Sequence, residues 1–355
     1  MALHGAKRYT EAVSASHSPR VLIDTTTGQL CDRTRLAEAS ETHPVFNELT
    51  SSMTTKVDKA RIWSEVVRFY QYVMLSHKWE DGVPLFRKVK LATVSKLEVS
   101  LTNIKLQSFC SLVRSLGFRW AWSDTCCIDK DNNVVLQESL VAMFSWYRDS
   151  SLTLVYLHSV SSELQEHGGL QESIWNTRVW TYQEYLAATR VRFYTGDWKP
   201  YLGLTLENHK ESSIIISEME QALQVSAEQV AALRPGLDRV REKLHLAARR
   251  QTTYVEDIAY SLLGIFNVVI PVIYGEGTLA VGRLLEHVLT GSGDVTILAW
   301  TGTANDYNSC LPKDLIVYGD VGAPHIPALM ETAELNRTVT ELRSSLLDLS
   351  RHDAI

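Results

Sequence analysis

The chain has 355 residues, a formal net charge of −6 and an isoelectric point near 6.0. A chain of this length forms two domains or one large one, and 45% hydrophobic with 21% charged residues exclude a largely disordered protein. The acidic balance gives no reason to expect nucleic acid as a partner. Nine Trp and 14 Tyr against eight Phe are unusual, and such amphipathic rings suit ligand walls as well as cores.

The cysteines and the longest uncharged stretch bear on the compartment. Five cysteines are scattered without a C-x-x-C pair, which argues against a disulfide framework or a structural zinc site and favours a reducing compartment. The N-terminus lacks the apolar run of a signal peptide. Residues 258–274 carry no formal charge but contain Gly264, Asn267 and Pro271, which favours a buried helix and an extended segment. We therefore expect a cytoplasmic protein without a membrane span.

The predicted elements begin after a loose tail, residues 1–17. Residues 20–30 are predicted to form a strand, a Thr/Gly turn and a returning strand, and residues 31–70 are polar and compatible with helix. From residue 72 onwards, apolar runs of strand length alternate with amphipathic segments. The strands are predicted at YVMLS (72–76), FRWAWSD (118–124), LTLVYL (152–157) and VRFYTGDW (191–198), and the helices at 106–116, 136–147 and 174–187.

The remainder of the chain is predicted to be mainly helical up to residue 300. Thr253 and Glu256 have the spacing of a capping box that opens a helix. A further helix is expected to end before Gly291, followed by a strand-like run, VTILAW, at 295–300. Beyond it we predict a polar C-terminal tail, residues 301–355, with a short helix near 330–350.

Alternating strands and helices predict an α/β fold with a flavodoxin-like open parallel sheet, helices on both of its faces and an additional helical C-terminal portion. Right-handed crossovers then gather the loops after the strands along one edge, where such sheets bind ligands. We expect one large domain over residues 18–300, with its core at 71–200 and a helical extension at 201–300.

Several blocks of the sequence resemble the fungal heterokaryon-incompatibility (HET) domain family. The blocks follow the family's order and are RVLIDTTTGQL (20–30), YVMLSHKWEDG (72–82), WSDTCCIDKDNN (122–133), MFSWYRDSSLTLVYL (143–157), RVWTYQEYLAATRVRFYTGDW (178–198) and the run from 252 to 288. Two departures stand out. Glu80 replaces the family's usual Gly, and Tyr185 to Ala188 replace Leu-Ile-Ala-Pro.

The HET family in turn resembles Toll/interleukin-1 receptor (TIR) domains, several of which cleave NAD at its bond to nicotinamide. The resemblance implies a TIR-like core in which Trp180 and Glu184 match the helix that carries the catalytic Glu of those enzymes. Glu184 is therefore the candidate catalytic residue, because one carboxylate can stabilise an oxocarbenium-like transition state. Trp180 lies four residues earlier on the same helical face, where its ring is expected to stack on nicotinamide.

The other candidate ligand-binding residues follow the first two parallel strands. They are Ser76, His77, Trp79 and Asp81 after the first, and Asp124, Cys127 and Asp129 after the second. Each set has a purely structural alternative, in which the polar side chains satisfy backbone groups at the strand ends. A Cys–His nucleophile or a metal held by His77 and the nearby Asp residues lacks a supporting spacing motif, so we predict no metal site.

The resemblance to HET and TIR domains implies a protein of fungal self/non-self recognition and programmed cell death that binds and hydrolyses NAD or a related nucleotide. NAD is then a substrate, no cofactor is required, and activation involves a homo-oligomer. Two alternatives stay open. One is a non-enzymatic signalling module that self-associates, and the other is a small-molecule enzyme that uses the HET fold for another reaction.

Overall fold

Six strands form one mixed sheet in the order β2-β1-β4-β3-β5-β6. The computed structural model describes residues 18–44, 59–163, 168–319, 337 and 339–341. The strands are β1 (Val21–Asp24), β2 (Gln29–Asp32), β3 (Tyr72–His77), β4 (Trp120–Trp122), β5 (Leu152–Leu157) and β6 (Val191–Thr195). Strands β4, β3, β5 and β6 are parallel, whereas the β1–β2 hairpin joins β4 in antiparallel fashion. The α/β fold predicted from the sequence is confirmed.

Helices lie between the parallel strands and form the C-terminal part of the core, as the alternating pattern of the sequence predicts. They are α1 (Arg33–Glu41), α2 (Lys59–Phe69), α3 (Phe86–Ala92), α4 (Leu101–Ser115), α5 (Asp124–Cys127), α6 (Asn133–Asp149), α7 (Ile174–Thr177), α8 (Val179–Ala187), α9 (Ser213–Leu223), α10 (Ala227–Ala232), α11 (Val240–Ala248), α12 (Asp257–Tyr260), α13 (Leu263–Phe266) and α14 (Leu279–Ser292). Short 3₁₀ turns lie at Val94–Lys96, Tyr201–Gly203, His209–Glu211, Val295–Leu298 and Leu315–Tyr318.

Side-chain caps fix where the two long crossover helices begin. The Ser100 side chain accepts a hydrogen bond from the backbone of Asn103 at the start of α4, and Asn132 does the same at the start of α6. After α4 the chain turns at Gly117, whose φ of +86° is accessible to Gly at little cost. These caps deliver the chain to β4 and β5 at the positions that the sequence predicts.

The strand order places a switch point between β3 and β5. The chain passes from β3 to β4 on one side and then returns past β3 to β5 and β6 on the other. Right-handed crossovers therefore put α4 on one face of the sheet and α6 and α8 on the other. Every residue of β3 and of β5 is buried, as expected of strands covered on both faces. Ligands of such sheets bind where the crossovers diverge, beyond the carboxyl ends of these two strands.

One predicted helix is broken in the structure. Residues 174–187 form α7 and α8, separated at Arg178, whose backbone is extended. A distant segment causes the break: the backbone N–H of Gln251 donates to the carbonyl of Thr177 at 2.6 Å, and its carbonyl accepts from Val179 at 3.1 Å. The local helical pattern is thus overruled by a tertiary backbone contact.

Three predictions about the C-terminal part of the core are wrong. The predicted capping box of Thr253 and Glu256 does not open α12, because the N-cap residue is Glu256 itself and it makes no side-chain cap hydrogen bond. Helix α14 runs through Gly291 to Ser292, and Gly293, whose backbone is left-handed, forms the C-cap. Residues 295–298 form a 3₁₀ turn capped by Asp294 in place of a strand.

Burial continues beyond the predicted domain end, since Leu311, Leu315 and Tyr318 are buried. The described residues up to Gly319 belong to one compact unit, and those beyond it to a second. In the second unit the described residues, 337 and 339–341, are helical. Among the described residues no helix combines the length and the apolar character needed to cross a membrane.

Candidate functional site

Polar side chains collect at the carboxyl ends of the central parallel strands. Ser76 and His77 are the last residues of β3, and Asp124 begins the short helix directly after β4. Glu184 reaches this edge from the middle of α8. All four lie at the switch point where the topology predicts a ligand site.

Glu184 is buried and takes part in a chain of hydrogen bonds. The hydroxyl of Ser76 donates to Oε2 of Glu184, and the indole N–H of Trp175 donates to Oγ of Ser76 at 2.8 Å. The Trp175 bond directs the single Ser76 hydrogen towards the carboxyl group. The hydroxyl of Tyr147, which donates to the carbonyl of Leu75 at 2.9 Å, also interacts with Glu184.

Burial gives Glu184 an unusual protonation state. Burial, and in addition the negative charge of Asp124, raise its pKa to about 8, against the opposing effects of Ser76 and Tyr147. At pH 7 the unliganded carboxyl is therefore mainly protonated. A carboxyl group with a pKa shifted so far, buried at a sheet edge, is typical of functional sites.

His77 and Asp124 form a second pair beside Glu184. Burial lowers the pKa of His77, and the positive charge of Lys105 lowers it further. His77 Nδ1 lies 3.1 Å from Nζ of Lys105 and 3.0 Å from the backbone carbonyl oxygen of Lys78, and the other ring nitrogen is Nε2. This atom faces Asp124 Oδ1 at 3.3 Å.

Asp124 is ionised although it is largely enclosed. Burial alone raises the pKa of its carboxyl, but the interactions with His77, Lys130 and Trp79 outweigh burial and hold the pKa below its usual value. The indole N–H of Trp79 donates to Asp124 Oδ2 at 2.5 Å. The ammonium of Lys130 lies 3.1 Å from the centre of the Trp79 ring. Trp79 thus offers a cation-binding face next to a carboxylate.

Lys105 and Glu80 form an ion pair at the same edge. The Lys105 side chain is 4% exposed, and its Nζ lies 2.5 Å from Glu80 Oε2. The other oxygen of Glu80 lies 2.8 Å from Nδ1 of the exposed His158, directly after β5. Burial raises the pKa of Glu80, but Lys105 and His158 outweigh it and lower the pKa below its usual value. Glu80 is thus held as a carboxylate between two donors.

The structure does not draw the remaining predicted residues into this cluster. Trp180 is half-buried, and its indole hydrogen-bonds the carboxyl of Asp257. Asp81 is exposed on the loop after β3. Cys127 is buried and its sulfur accepts from the backbone of Ser123 at 3.5 Å. Asp129 accepts from the backbone N–H two residues on, at 3.3 Å, which is loop geometry.

Sequence reasoning missed several members of the cluster. Lys105 carried a signal, since it lies four residues before Phe109 on the apolar face of α4, and a Lys on such a face needs a buried partner. Trp175, Tyr147 and Lys130 carried none, because their roles depend on which strands meet.

A thiol nucleophile fits this site poorly. Cys126 and Cys127 are buried, and burial raises the pKa of the Cys127 thiol well above its usual value, which disfavours the reactive thiolate. In the part of the chain that the structure describes, no three His, Cys, Asp or Glu side chains are grouped to hold a metal ion.

Comparison with known proteins agrees with the resemblance stated above. Residues 72–170, which span β3 to β5 and their loops, match the family described as heterokaryon incompatibility protein (HET). Over 247 residues, or 66% of this chain, the sequence is 34% identical to vegetative incompatibility protein HET-E-1 of Podospora anserina. The matched region is 17% of that relative's length. No solved structure matches the chain.

Proposed function

We propose that this chain, which carries a heterokaryon incompatibility (HET) domain, acts in heterokaryon incompatibility by hydrolysing NAD or a closely related nucleotide with Glu184 as the essential residue. The family match and the likeness to HET-E-1 support the biological role. The hydrolytic part of the proposal is supported chiefly by Glu184, a buried carboxyl with a pKa of about 8 at the switch point of the sheet.

The surroundings of Glu184 suit a ligand with a positive charge. Asp124 supplies a carboxylate near Glu184, and the Trp79 ring beside it already accepts the ammonium of Lys130 on its face. The nicotinamide ring of NAD is a cation of the size that such a face and carboxylate recognise. A bound cation also favours the ionised form of Glu184 over the neutral one.

Hydrolysis breaks the bond between ribose C1′ and the nicotinamide nitrogen, and the bonding pair leaves with nicotinamide as a neutral base. The ribosyl group left behind resembles an oxocarbenium ion, which an ionised Glu184 stabilises by its charge and by hydrogen bonds to ribose hydroxyls. Water then forms the new C1′–O bond and releases one proton. The products are ADP-ribose, nicotinamide and H⁺. Ser76 and Trp175 position the carboxylate through their hydrogen bonds.

A specific surface feature favours a second candidate function, a signalling module that works by self-association. Leu91, Val99 and Leu101 are each more than 80% exposed at the end of α3 and the start of α4. Exposed apolar clusters of this kind mark association surfaces. Light scattering over a range of protein concentrations tests this candidate. It requires an oligomer to form as the concentration rises, and Leu101→Lys to decrease the amount of that oligomer.

The experiment that tests the proposed activity follows nicotinamide release from NAD by the purified chain. Dilute and concentrated samples are both needed, because an oligomer is the proposed active form. Release that disappears in Glu184→Ala supports the proposal. Glu218→Gln, at another buried glutamate held by Tyr201 at 2.8 Å, is the matched control and must retain it. Absence of release at every concentration would exclude hydrolysis, and release undiminished in Glu184→Ala would place the chemistry elsewhere.

A further inference from the structure

Glu80 occupies a position where two donors converge on one carboxylate. Lys105 Nζ contacts Oε2 at 2.5 Å, and Nδ1 of His158 contacts Oε1 at 2.8 Å. Lys105 comes from α4, His158 follows β5, and Glu80 lies on the loop after β3. Lys105 is therefore fixed on a helix, whereas Glu80 and His158 lie on the segments that follow two neighbouring strands.

The position of this carboxylate matches that of a ligand phosphate. It lies beyond the ends of β3 and β5, at the divergence of the crossovers, where open α/β sheets hold anionic groups of nucleotides. The chain has no Gly-rich phosphate loop after a strand. Side-chain donors such as Lys105 and His158 are then the groups that can bind a phosphate at this edge.

Because Lys105 is buried, its ammonium favours replacement of the Glu80 carboxylate by another anion over loss of the carboxylate alone. Its side chain is 4% exposed, and a buried ammonium without a counterion is strongly unfavourable. Departure of Glu80 is therefore favoured when another anion replaces it beside Lys105. Its partly exposed side chain and its place beside the exposed Trp79 give it a route into solvent.

We propose that Lys105 and His158 form the binding site for the pyrophosphate of the nucleotide, and that Glu80 occupies this site as an internal plug in the unliganded protein. The inference rests on the proposed function, since pyrophosphate joins the two halves of NAD. It adds a regulatory consequence: the apparent affinity for the nucleotide is the intrinsic affinity multiplied by the fraction of molecules in which Glu80 has left the site.

The test measures binding of inorganic pyrophosphate and of ADP-ribose by isothermal titration calorimetry. Glu80→Gln keeps the size of the side chain and removes its charge, so both ligands should bind about tenfold or more tightly than to the wild type. Adding Lys105→Gln to Glu80→Gln should abolish the gain. Glu207→Gln is the matched control, because Glu207 also faces a cation, Arg192 at 3.0 Å, but on an exposed surface at β6. Unchanged or weaker binding in Glu80→Gln would overturn the proposal.

A measurement on the unmodified protein guards against variants that fail to fold. Saturating pyrophosphate should shift the imidazole NMR signals of His158 and leave those of His245, which contacts the carbonyl of Tyr318 at 2.9 Å, unchanged. Equal or absent shifts at both histidines would contradict the proposal. Neither readout requires catalysis, so tighter binding without nicotinamide release rejects hydrolysis alone. Release that depends on Glu184 without tighter binding in Glu80→Gln rejects the plug alone.

Discussion

The substitution Glu184→Gln tests whether the buried Glu184 carboxyl is neutral in the folded protein, through the pH dependence of the free energy of unfolding. The pKa of Glu184 is about 8 in the folded protein, against an ordinary value of 4.5. Between these values the folded protein keeps a proton that the unfolded chain has released, so the free energy of unfolding falls as pH rises. For these two pKa values the loss between pH 5 and pH 7 is about 2.5 kcal/mol.

Gln carries a neutral amide at every pH and removes this loss. We therefore expect the stability of Glu184→Gln relative to the wild type to improve by about 2 to 3 kcal/mol between pH 5 and pH 7. Urea unfolding followed by Trp fluorescence at pH 5, 6 and 7 measures the difference. Glu207→Gln, at an exposed carboxylate, controls for the loss of one negative charge. A difference between Glu184→Gln and wild type that stays constant with pH would refute the raised pKa.

Two further substitutions probe the support of the site. Ser76→Ala removes a hydrogen bond that lowers the pKa of Glu184, so the rise of nicotinamide release with pH should move to higher pH. The free energy of unfolding should fall by about 1–2 kcal/mol. A pH profile that does not move would contradict this role of the hydrogen bond. Gly264→Ala places a Cβ 2.1 Å from Cβ of Phe144, so α13 must shift from α6 at a cost of about 1–3 kcal/mol by thermal unfolding. Gly291→Ala meets only the tip of a flexible side chain and should be far milder, and equal losses in the two Ala variants would count against this packing.

The parallel sheet could be predicted from the sequence because its strands are short apolar runs followed by polar loops. Burial of every residue in β3 and β5 is encoded locally, and the crossover rule then places Ser76, His77 and Asp124 at one edge. Glu184 came from a family resemblance, since spacing along one helix does not show which strand end the helix faces.

The rest depends on contacts that are distant in the sequence. The break between α7 and α8 arises from backbone bonds to Gln251, which no local pattern contains. The burial of Lys105 is explained by its contacts with Glu80 and His77, which β3 and the loop after it bring next to its ammonium group. The antiparallel attachment of the β1–β2 hairpin to β4 likewise depends on pairing, such as that of Ile23 with Ala121, rather than on composition.

The most direct test of the central claim is the pH profile of kcat/KM for nicotinamide release from NAD. In the proposed reaction Glu184 must lose its proton before it can stabilise the ribosyl cation, and the pKa of Glu184 in the unliganded protein is about 8. We predict that kcat/KM rises about tenfold per pH unit from pH 6 and levels off near pH 8, and that Glu184→Gln shows no release at any pH. A profile that is flat from pH 6 to pH 9, or release by Glu184→Gln at the wild-type rate, would contradict the account.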